Sequence, residues 1–476
     1  MSHIPESLFA KHPWTALGVV SVGTFMSTLD GTIVNVALPS VASGFGASLP
    51  YAQWIISAYL LIICCLLPLF GRIGDTRGKR PVYRLGFLIF GAASLLCGLA
   101  GSMETLITAR VLQGLGAAML MANGPGILML AFPGAGRGRA FGVMGSVVAL
   151  GSLTGPALGG VLLDVFGWRS IFYVNIPVAL AGAVCVHAFL PRGERVIKVG
   201  FDLAGLFLFA VGITTLLMAL SHGRDWPAWA LAVGVLGALA VLVLFLRAER
   251  RAKFPMVDLK LLSHRPFLTG NMVSFLCFVA MFTNAILMPF YLHDVKGVSP
   301  MLMGGVLAVL PLVMAVVSPF SGHLSERLSQ PGLAGLGLWI MAAGLANQGF
   351  LGADAPLWRA ALGQGLLGLG VGVFISPNNN SILSSAPAAK SGLAGSILAL
   401  TRNVGMVTGI AVATGVFETA RVSAMAGIVS PTPEQVMTGF LSGFRCALFT
   451  GAALAFLGGA LSLHRRRYQA PHPAMP

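Results

Sequence analysis

Asp30 and Arg110 are the residues whose types and positions point most directly to chemistry. Both lie within long apolar runs, at 14–38 and 104–131. Asp30 is the acid placed deepest in such a run, and an ionisable side chain in hydrocarbon surroundings is costly and marks a functional hypothesis. Burial disfavours a charged carboxylate, whereas a neighbouring guanidinium favours it. The pattern therefore predicts a carboxyl group that takes up and releases a proton.

The elements that must position these residues are membrane helices. The chain has 476 residues, of which 56% are hydrophobic and 9% charged, a composition too apolar for a soluble protein of this size. A helix needs about 20 apolar residues to cross a bilayer. The sequence has fourteen such runs: 14–38, 51–70, 82–101, 104–131, 140–163, 169–190, 202–221, 227–246, 267–291, 301–321, 331–351, 357–383, 391–416 and 443–463.

Basic residues indicate which way these helices run. They are concentrated in alternate links, at 72–84, 137–139, 192–198, 247–265 and 465–467. Cytoplasmic loops of membrane proteins carry such an excess of Lys and Arg. We therefore expect a multi-pass protein of the cell inner membrane with both termini in the cytoplasm. The net charge of +15 is accounted for by these loops, and no nucleic-acid partner is expected.

This topology places the two candidate residues at similar depths. The first helix runs outward and ends near Leu38, so Asp30 lies roughly 12 Å below the outer boundary at about 1.5 Å per residue. The helix that begins near Met103 runs inward, so Arg110 lies roughly 10 Å below the same boundary. Contact is permitted. The alternative to proton coupling is a pair that only holds the two helices together.

Four motifs, in the expected order, resemble those of the major facilitator superfamily. Residues 71–80 (GRIGDTRGKR) resemble its cytoplasmic signature loop, and residues 106–118 (LITARVLQGLGAA) its intramembrane arginine motif. Residues 151–160 (GSLTGPALGG) resemble the motif that marks proton-coupled antiporters. Residues 29–39 (LDGTIVNVALP) are similar to the first-helix motif of the drug:proton antiporters with fourteen spans.

The resemblance implies a fold. We expect an all-α integral membrane protein with the major facilitator fold, in which two six-helix bundles rock about a central cavity and two linker helices are inserted between them. The predicted domains are the N-terminal bundle at 1–200, the inserted pair of helices 7 and 8 at 201–258, and the C-terminal bundle at 259–476.

The resemblance also implies a function. We expect a proton-coupled secondary transporter that exports hydrophobic, cationic drugs or toxic compounds by antiport with alternating access. Its partners would be these substrates, protons and the lipid bilayer, with a periplasmic adaptor protein as a further candidate. Two alternatives stay open: an exporter of an endogenous lipid or metabolite, and a proton-coupled importer. An enzyme, a metal site and a cofactor are not expected, and no P-loop supports ATP as the driving force.

Three further groups of residues are candidates for the site. The predicted gating loop comprises Gly71, Gly74, Asp75, Arg77, Gly78, Lys79 and Arg80. Its bases would pair with carboxylates or helix C-termini and bias the resting conformation; the alternative is a loop that only fixes topology. The antiporter motif comprises Gly151, Gly155, Pro156, Gly159 and Gly160, which would allow bending and close packing against a helix of the other half. Cavity candidates are Asn35, Gln113, Arg402 and Asn403.

Overall fold

The computed structural model describes residues 13–132, 137–190, 202–222, 227–252, 259–325, 328–386, 391–426 and 432–465. Within these ranges the regular structure is helical, and no strand occurs there. The basic segment 192–198, together with 253–258 and 466–467, lies outside the described residues.

Fourteen long helices make up the described chain, and each overlaps one of the predicted apolar runs. They are α1 (Pro13–Phe45), α2 (Trp54–Arg77), α3 (Lys79–Gly98), α4 (Met103–Ala131), α5 (Arg137–Phe166), α6 (Asn175–Phe189), α7 (Leu203–His222), α8 (Ala228–Arg251), α9 (Arg265–Phe290), α10 (Pro300–Leu324), α11 (Gln330–Gly349), α12 (Leu357–Ser384), α13 (Ser391–Ala424) and α14 (Pro433–Arg465). Short helical segments occur at Leu49–Ala52, Ser170–Tyr173 and Leu259–Leu262, and a π-helical turn at Tyr291–Val295 follows α9. The predicted all-α class is confirmed.

Most of these helices have the dimensions of a membrane span. By length and composition, twelve helices in the described ranges are long and apolar enough to cross a membrane. The apolar segment of α7, Ala204–Ala219, is shorter. Helix α11 is not among the twelve, and its C-terminal turn contains the amide side chains of Asn347 and Gln348. The chain is therefore a multi-pass membrane protein with twelve to fourteen apolar helices.

Glycines bring α2, α3 and α4 close together. A methyl group at Gly116 of α4 would lie 2.7 Å from the backbone nitrogen of Phe90 and 2.8 Å from the backbone oxygen of Gly86, both in α3. At Gly114 it would lie 2.8 Å from the backbone oxygen of Tyr59 in α2. Small residues permit such close helix contacts in membrane proteins. Polar side chains of neighbouring helices can therefore reach one another.

A single glycine separates α2 from α3. Gly78 has a φ of +94°, a backbone conformation that residues with a Cβ atom rarely adopt. Helix α2 ends at Arg77, and α3 begins at Lys79. The predicted gating loop is thus the last two turns of one helix and the start of the next, joined at this glycine.

The chain divides into two compact units. The first comprises Met1–Gly212, Val241–Met256 and Val298–Ala308. It contains α1 to α6 and the first turns of α10. The second comprises Ile213–Ala240, Val257–Gly297 and Val309–Pro476, with α9 and α11 to α14. The three predicted domains, with boundaries at residues 200 and 258, stay a prediction.

Candidate functional site

A buried ion pair lies in the first unit. Asp30, in the middle of α1, and Arg110, in the second turn of α4, are both 0% exposed. Nη1 of Arg110 donates a hydrogen bond of 2.6 Å to Oδ2 of Asp30. The contact that the depths of the two residues permit is therefore present, and the two charges balance one another.

The second carboxylate oxygen of Asp30 accepts two amide hydrogen bonds. Nε2 of Gln113 and Nδ2 of Asn175 each donate to Oδ1 over 3.0 Å. Gln113 is in α4 and Asn175 begins α6. Side chains from two helices, α4 and α6, thus donate three hydrogen bonds to one carboxylate on α1, which compensates for its removal from water.

Arg110 is fixed by groups other than Asp30. Its Nε donates to the backbone oxygen of Ile55 in α2 over 2.9 Å, and its Nη1 also contacts Oε1 of Gln113. The guanidinium carbon lies 4.1 Å from the ring centroid of Tyr59, a cation–π distance. Nη2 has no hydrogen-bond partner among the residues that the structure describes. The arginine therefore links α1, α2 and α4.

A second layer of polar groups orients Gln113. Its Nε2 donates to Oγ of Ser94 in α3 over 2.8 Å, and that hydroxyl donates to the backbone oxygen of Phe90 over 2.7 Å. Both N–H bonds of the amide are then used, one on Asp30 and one on Ser94. Oδ1 of Asn175 has no partner in the described part of the chain. This oxygen belongs to a side chain that contacts the carboxylate and is available to accept a hydrogen bond.

Sequence patterns identified only part of this cluster. The similar depths of Asp30 and Arg110 permitted a contact between them, and Gln113 was a cavity candidate. The structure places Gln113 against Asp30, and its role in a cavity stays a prediction. Tyr59 and Ser94 belong to no recognisable motif, because single aromatic or serine residues are common in apolar helices.

Residues of the predicted gating loop on both sides of Gly78 make polar contacts. Asp75 and Lys79 form an ion pair across it. Arg80 donates to the backbone oxygens of His187, over 2.6 Å, and Val186, over 3.3 Å, at the C-terminal end of α6. A positive charge at this end of a helix is favourable. The contacts agree in type with those expected of these bases; the gating role stays a prediction.

The glycines of α5 point in two directions. Methyl groups at Gly151, Gly155 and Gly159 would meet α1, the helix that carries Asp30; the one at Gly159 would lie 2.8 Å from the side chain of Ile33. Gly160 faces the start of α10, where its methyl would lie 2.6 Å from the backbone oxygen of Pro300. The backbone oxygen of Pro156 lies in the same contact, against Gly304.

The remaining candidates are spread over both units. Asn35 is half-buried on α1. Arg402, half-buried on α13, has an Nε without a hydrogen-bond partner in the described ranges. Asn403 is 3% exposed and donates to the backbone oxygen of Ala399 in its own helix over 3.0 Å.

The second unit has a neutral contact between two of its buried amide side chains. Nδ2 of Asn284 in α9 donates to Oε1 of Gln364 in α12 over 3.1 Å. Both side chains are almost fully buried, at 2% and 1% exposure. This contact is a hydrogen bond between two amide side chains, neither of which is titratable.

Comparison with known proteins decides the family. The protein-family model described as "Major Facilitator Superfamily" matches residues 20–200 and 197–410 of the chain. The chain belongs to the major facilitator superfamily. It is thus a membrane transporter, not an enzyme.

Solved structures of the superfamily share the fold of this chain. A bacterial homolog to the human lysosomal transporter Spinster, in an inward-facing and unoccupied conformation, gives a TM-score of 0.70 at 16% identity and covers 99% of this chain and 100% of its own. The peptide transporter POT in complex with sulfate gives 0.67 at 18% identity, with 96% and 94% covered. At these identities the likeness shows the fold alone.

Relatives within the superfamily carry several different names. The riboflavin transporter RibZ of Clostridioides difficile is 37% identical, and the match covers 84% of this chain and 87% of the relative. The tetracenomycin C resistance and export protein of Streptomyces glaucescens is 31% identical over 98% and 94%. The multidrug transporter protein MdtP of Bacillus subtilis is 31% identical over 82% and 72%.

Proposed function

We propose that this transporter exports hydrophobic compounds by proton antiport with alternating access, and that Asp30 is the proton-carrying group. The observation that carries the proposal is the fully buried carboxylate of Asp30, which is paired with the equally buried Arg110 between apolar helices of membrane length. A structural role alone needs no titratable group there. The neutral pair of Asn284 and Gln364 achieves a buried helix contact in the second unit without one.

Protonation of Asp30 would rearrange the cluster. In the unprotonated state its two oxygens accept from Arg110, Gln113 and Asn175. A proton on the carboxyl turns one of these acceptors into a donor that faces donors. Rotation of the Asn175 carboxamide by half a turn would present its free Oδ1 to the new O–H group. The loss of charge would also weaken the hold of Arg110, which is linked to the backbone of α2. Proton binding is thereby coupled to helix contacts.

The names of relatives favour export of hydrophobic compounds, because two of them are named for export of an antibiotic or for multidrug transport. The riboflavin transporter supports the alternative of a metabolite carrier or an importer. The cationic cargo that the family resemblance implies does not follow from the geometry, since Arg110 already balances the charge of Asp30. We therefore propose a hydrophobic cargo without a requirement for positive charge.

The setting of the transporter is part of the proposal. We place the chain in the cell inner membrane with both termini in the cytoplasm, and in the fourteen-helix drug:proton antiporter branch, on the strength of the basic links and the motif at residues 29–39. A periplasmic adaptor protein remains a candidate partner.

Everted membrane vesicles test the proposal directly. With a proton gradient imposed, addition of ethidium, fluorescein or riboflavin should release protons from vesicles that contain the wild type, read from acridine orange fluorescence. Asp30→Asn should abolish the release while the protein remains in the membrane at the wild-type level. Asn284→Ala, the matched change in the second unit, should retain it. Proton exchange at an unchanged rate in Asp30→Asn would overturn the assignment of Asp30.

A further inference from the structure

We infer that Arg402 binds the cargo, and that the cargo therefore carries an acidic oxygen, a carboxylate or a phenolate, on its hydrophobic body. The inference rests on the export function proposed above and adds the chemical class of the compound. It is argued within the second unit, from the charges, the helix contacts and the unpartnered polar atoms around α13.

Arg402 has no acidic residue near it in the helices of this unit. It lies in a candidate membrane span of α13, Ile397–Ala424. Acidic residues are absent from residues 267–290 of α9, 360–384 of α12, 391–413 of α13 and 446–463 of α14. The ion pairs of the described residues involve other bases. An unbalanced positive charge at this depth is costly unless an anion accompanies it.

The direction of the Arg402 side chain follows from the contacts of α13 with α9. Methyl groups at Gly405 and Gly409 would lie 3.0 Å and 2.5 Å from the backbone oxygens of Phe275 and Val279. Arg402 precedes these glycines by three and seven residues, so it shares their face of the helix. The neighbouring Thr401 donates to Oδ1 of Asn271 over 3.2 Å, which fixes the level of α9 beside it.

The facing surface of α9 adds a second unpartnered polar group. Ser274 is 1% exposed, and its hydroxyl has no hydrogen-bond partner among the described residues. It lies three residues after Asn271 and four before Phe278, on the face turned to α13. The acceptor oxygen of Asn271 is already used by Thr401. The groups without a hydrogen-bond partner at this level are therefore the Ser274 hydroxyl, which can donate or accept, and the Nε of Arg402, which can only donate.

A donor-rich, positively charged site selects for acceptor oxygens with negative charge. A guanidinium binds a carboxylate through two parallel hydrogen bonds, and such charge-assisted bonds are about twice as strong as neutral ones. Arg402 is half-buried as a residue, and its Nε is buried without a hydrogen-bond partner among the described residues. Within the described helices of the second unit, Arg402 is therefore the charge that an acidic cargo would meet at this level of α13.

Two dyes with the same three-ring skeleton and opposite charge test the inference. Binding of fluorescein, an anion, and rhodamine 123, a cation, to the purified full-length protein is measured by fluorescence polarisation without a proton gradient. The wild type should bind fluorescein more tightly. Arg402→Gln should weaken fluorescein binding about tenfold or more, the loss expected for one charge-assisted hydrogen bond, and leave rhodamine 123 unchanged. Ser274→Ala should weaken fluorescein binding less, and Arg402→Lys should fall between wild type and Arg402→Gln.

Several results would overturn the inference. The first is equal affinity of wild type and Arg402→Gln for fluorescein. The second is tighter binding of rhodamine 123 than of fluorescein by the wild type, or no binding of fluorescein at all. The third is displacement of fluorescein by phosphatidylglycerol, which would make Arg402 a lipid-binding residue. If Arg402→Gln does not elute as a folded protein on size exclusion, Arg402→Lys and Ser274→Ala carry the test. Because binding needs no gradient, dye selectivity lost in Arg402→Gln stands even if proton release by the wild type is not seen. If the wild type releases protons but Arg402→Gln keeps the wild-type dye selectivity, the role of Arg402 is rejected and the proposed antiport is not.

Discussion

Asn284 donates its side-chain hydrogen bond to Gln364 across 80 positions of sequence, the same separation as between Asp30 and Arg110. The Asp30–Arg110 contact joins α1 to α4, the first and fourth helices of α1 to α6. The Asn284–Gln364 contact joins α9 to α12, the first and fourth helices of α9 to α14. A glycine four residues after Arg110 packs on a backbone oxygen of α2, and one four residues after Gln364 packs on a backbone oxygen of α10. The two buried contacts are therefore equivalent in position, and only the first can hold a charge.

The first prediction concerns this neutral pair. Asn284→Ala leaves Oε1 of Gln364 without its donor inside the bundle, which we expect to cost about 1–3 kcal/mol of unfolding free energy. Proton release on substrate addition should persist, because no titratable group is removed. The measurements are the thermal midpoint in detergent and proton release from vesicles. A stable Asn284→Ala protein that releases no protons would show that the amide pair takes part in coupling.

The second prediction concerns the geometry of the guanidinium. Arg110 contacts the Ile55 backbone, Asp30 and Gln113 from two separate nitrogens. Arg110→Lys keeps the charge but concentrates its donors at one atom, so we expect at least a tenfold loss of transport. Arg110→Ala should abolish transport while membrane insertion is retained. Efflux assays with membrane-fraction immunoblots measure both, and normal efflux by Arg110→Ala would remove this residue from the mechanism.

The third prediction concerns the contact between α5 and the start of α10. Gly160→Val would drive side-chain atoms into the backbone of Pro300 and Gly304, which cannot move aside as a side chain can. We expect a loss of roughly 1–3 kcal/mol of stability, as for overpacked cores, together with reduced efflux. Gly145→Val is the control on the same helix, since nothing lies within 4 Å of a methyl at that position. Equal thermal midpoints for the two variants would contradict the close contact.

The fourth prediction concerns the loop glycines. A methyl at Gly74 would collide with the amide of Asn123, which donates to the backbone oxygens of Phe70 and Met119. Displacement of this amide in Gly74→Ala should cost about 1–3 kcal/mol. Gly71→Ala, three residues earlier, meets nothing within 4 Å and should be neutral or slightly stabilising, because alanine favours a helix. The opposite order of thermal midpoints would contradict this packing.

The fold was largely predictable because hydrophobic runs of membrane length report helices directly, and all fourteen runs coincide with helices. The predicted depths of Asp30 and Arg110 permitted their pairing without establishing it. The other residues around the pair could not be predicted. The orientation of Ser94 on α3 and of Asn175 on α6 toward Asp30 depends on glycine contacts between helices. Sequence periodicity is weak evidence for such contacts where nearly every residue of a helix is apolar.

The bond from Arg110 to the Ile55 backbone has a mechanical consequence. One nitrogen of the side chain is fastened to the main chain of α2, while another is fastened to an acid on α1. The guanidinium is planar and rigid, so α1 and α2 cannot slide past each other at this level unless one of the two attachments is given up. Protonation of Asp30 would remove the negative charge from the first attachment and leave the bond to the Ile55 backbone in place. Under the proposed mechanism, a single proton would thereby permit a relative movement of α1 and α2.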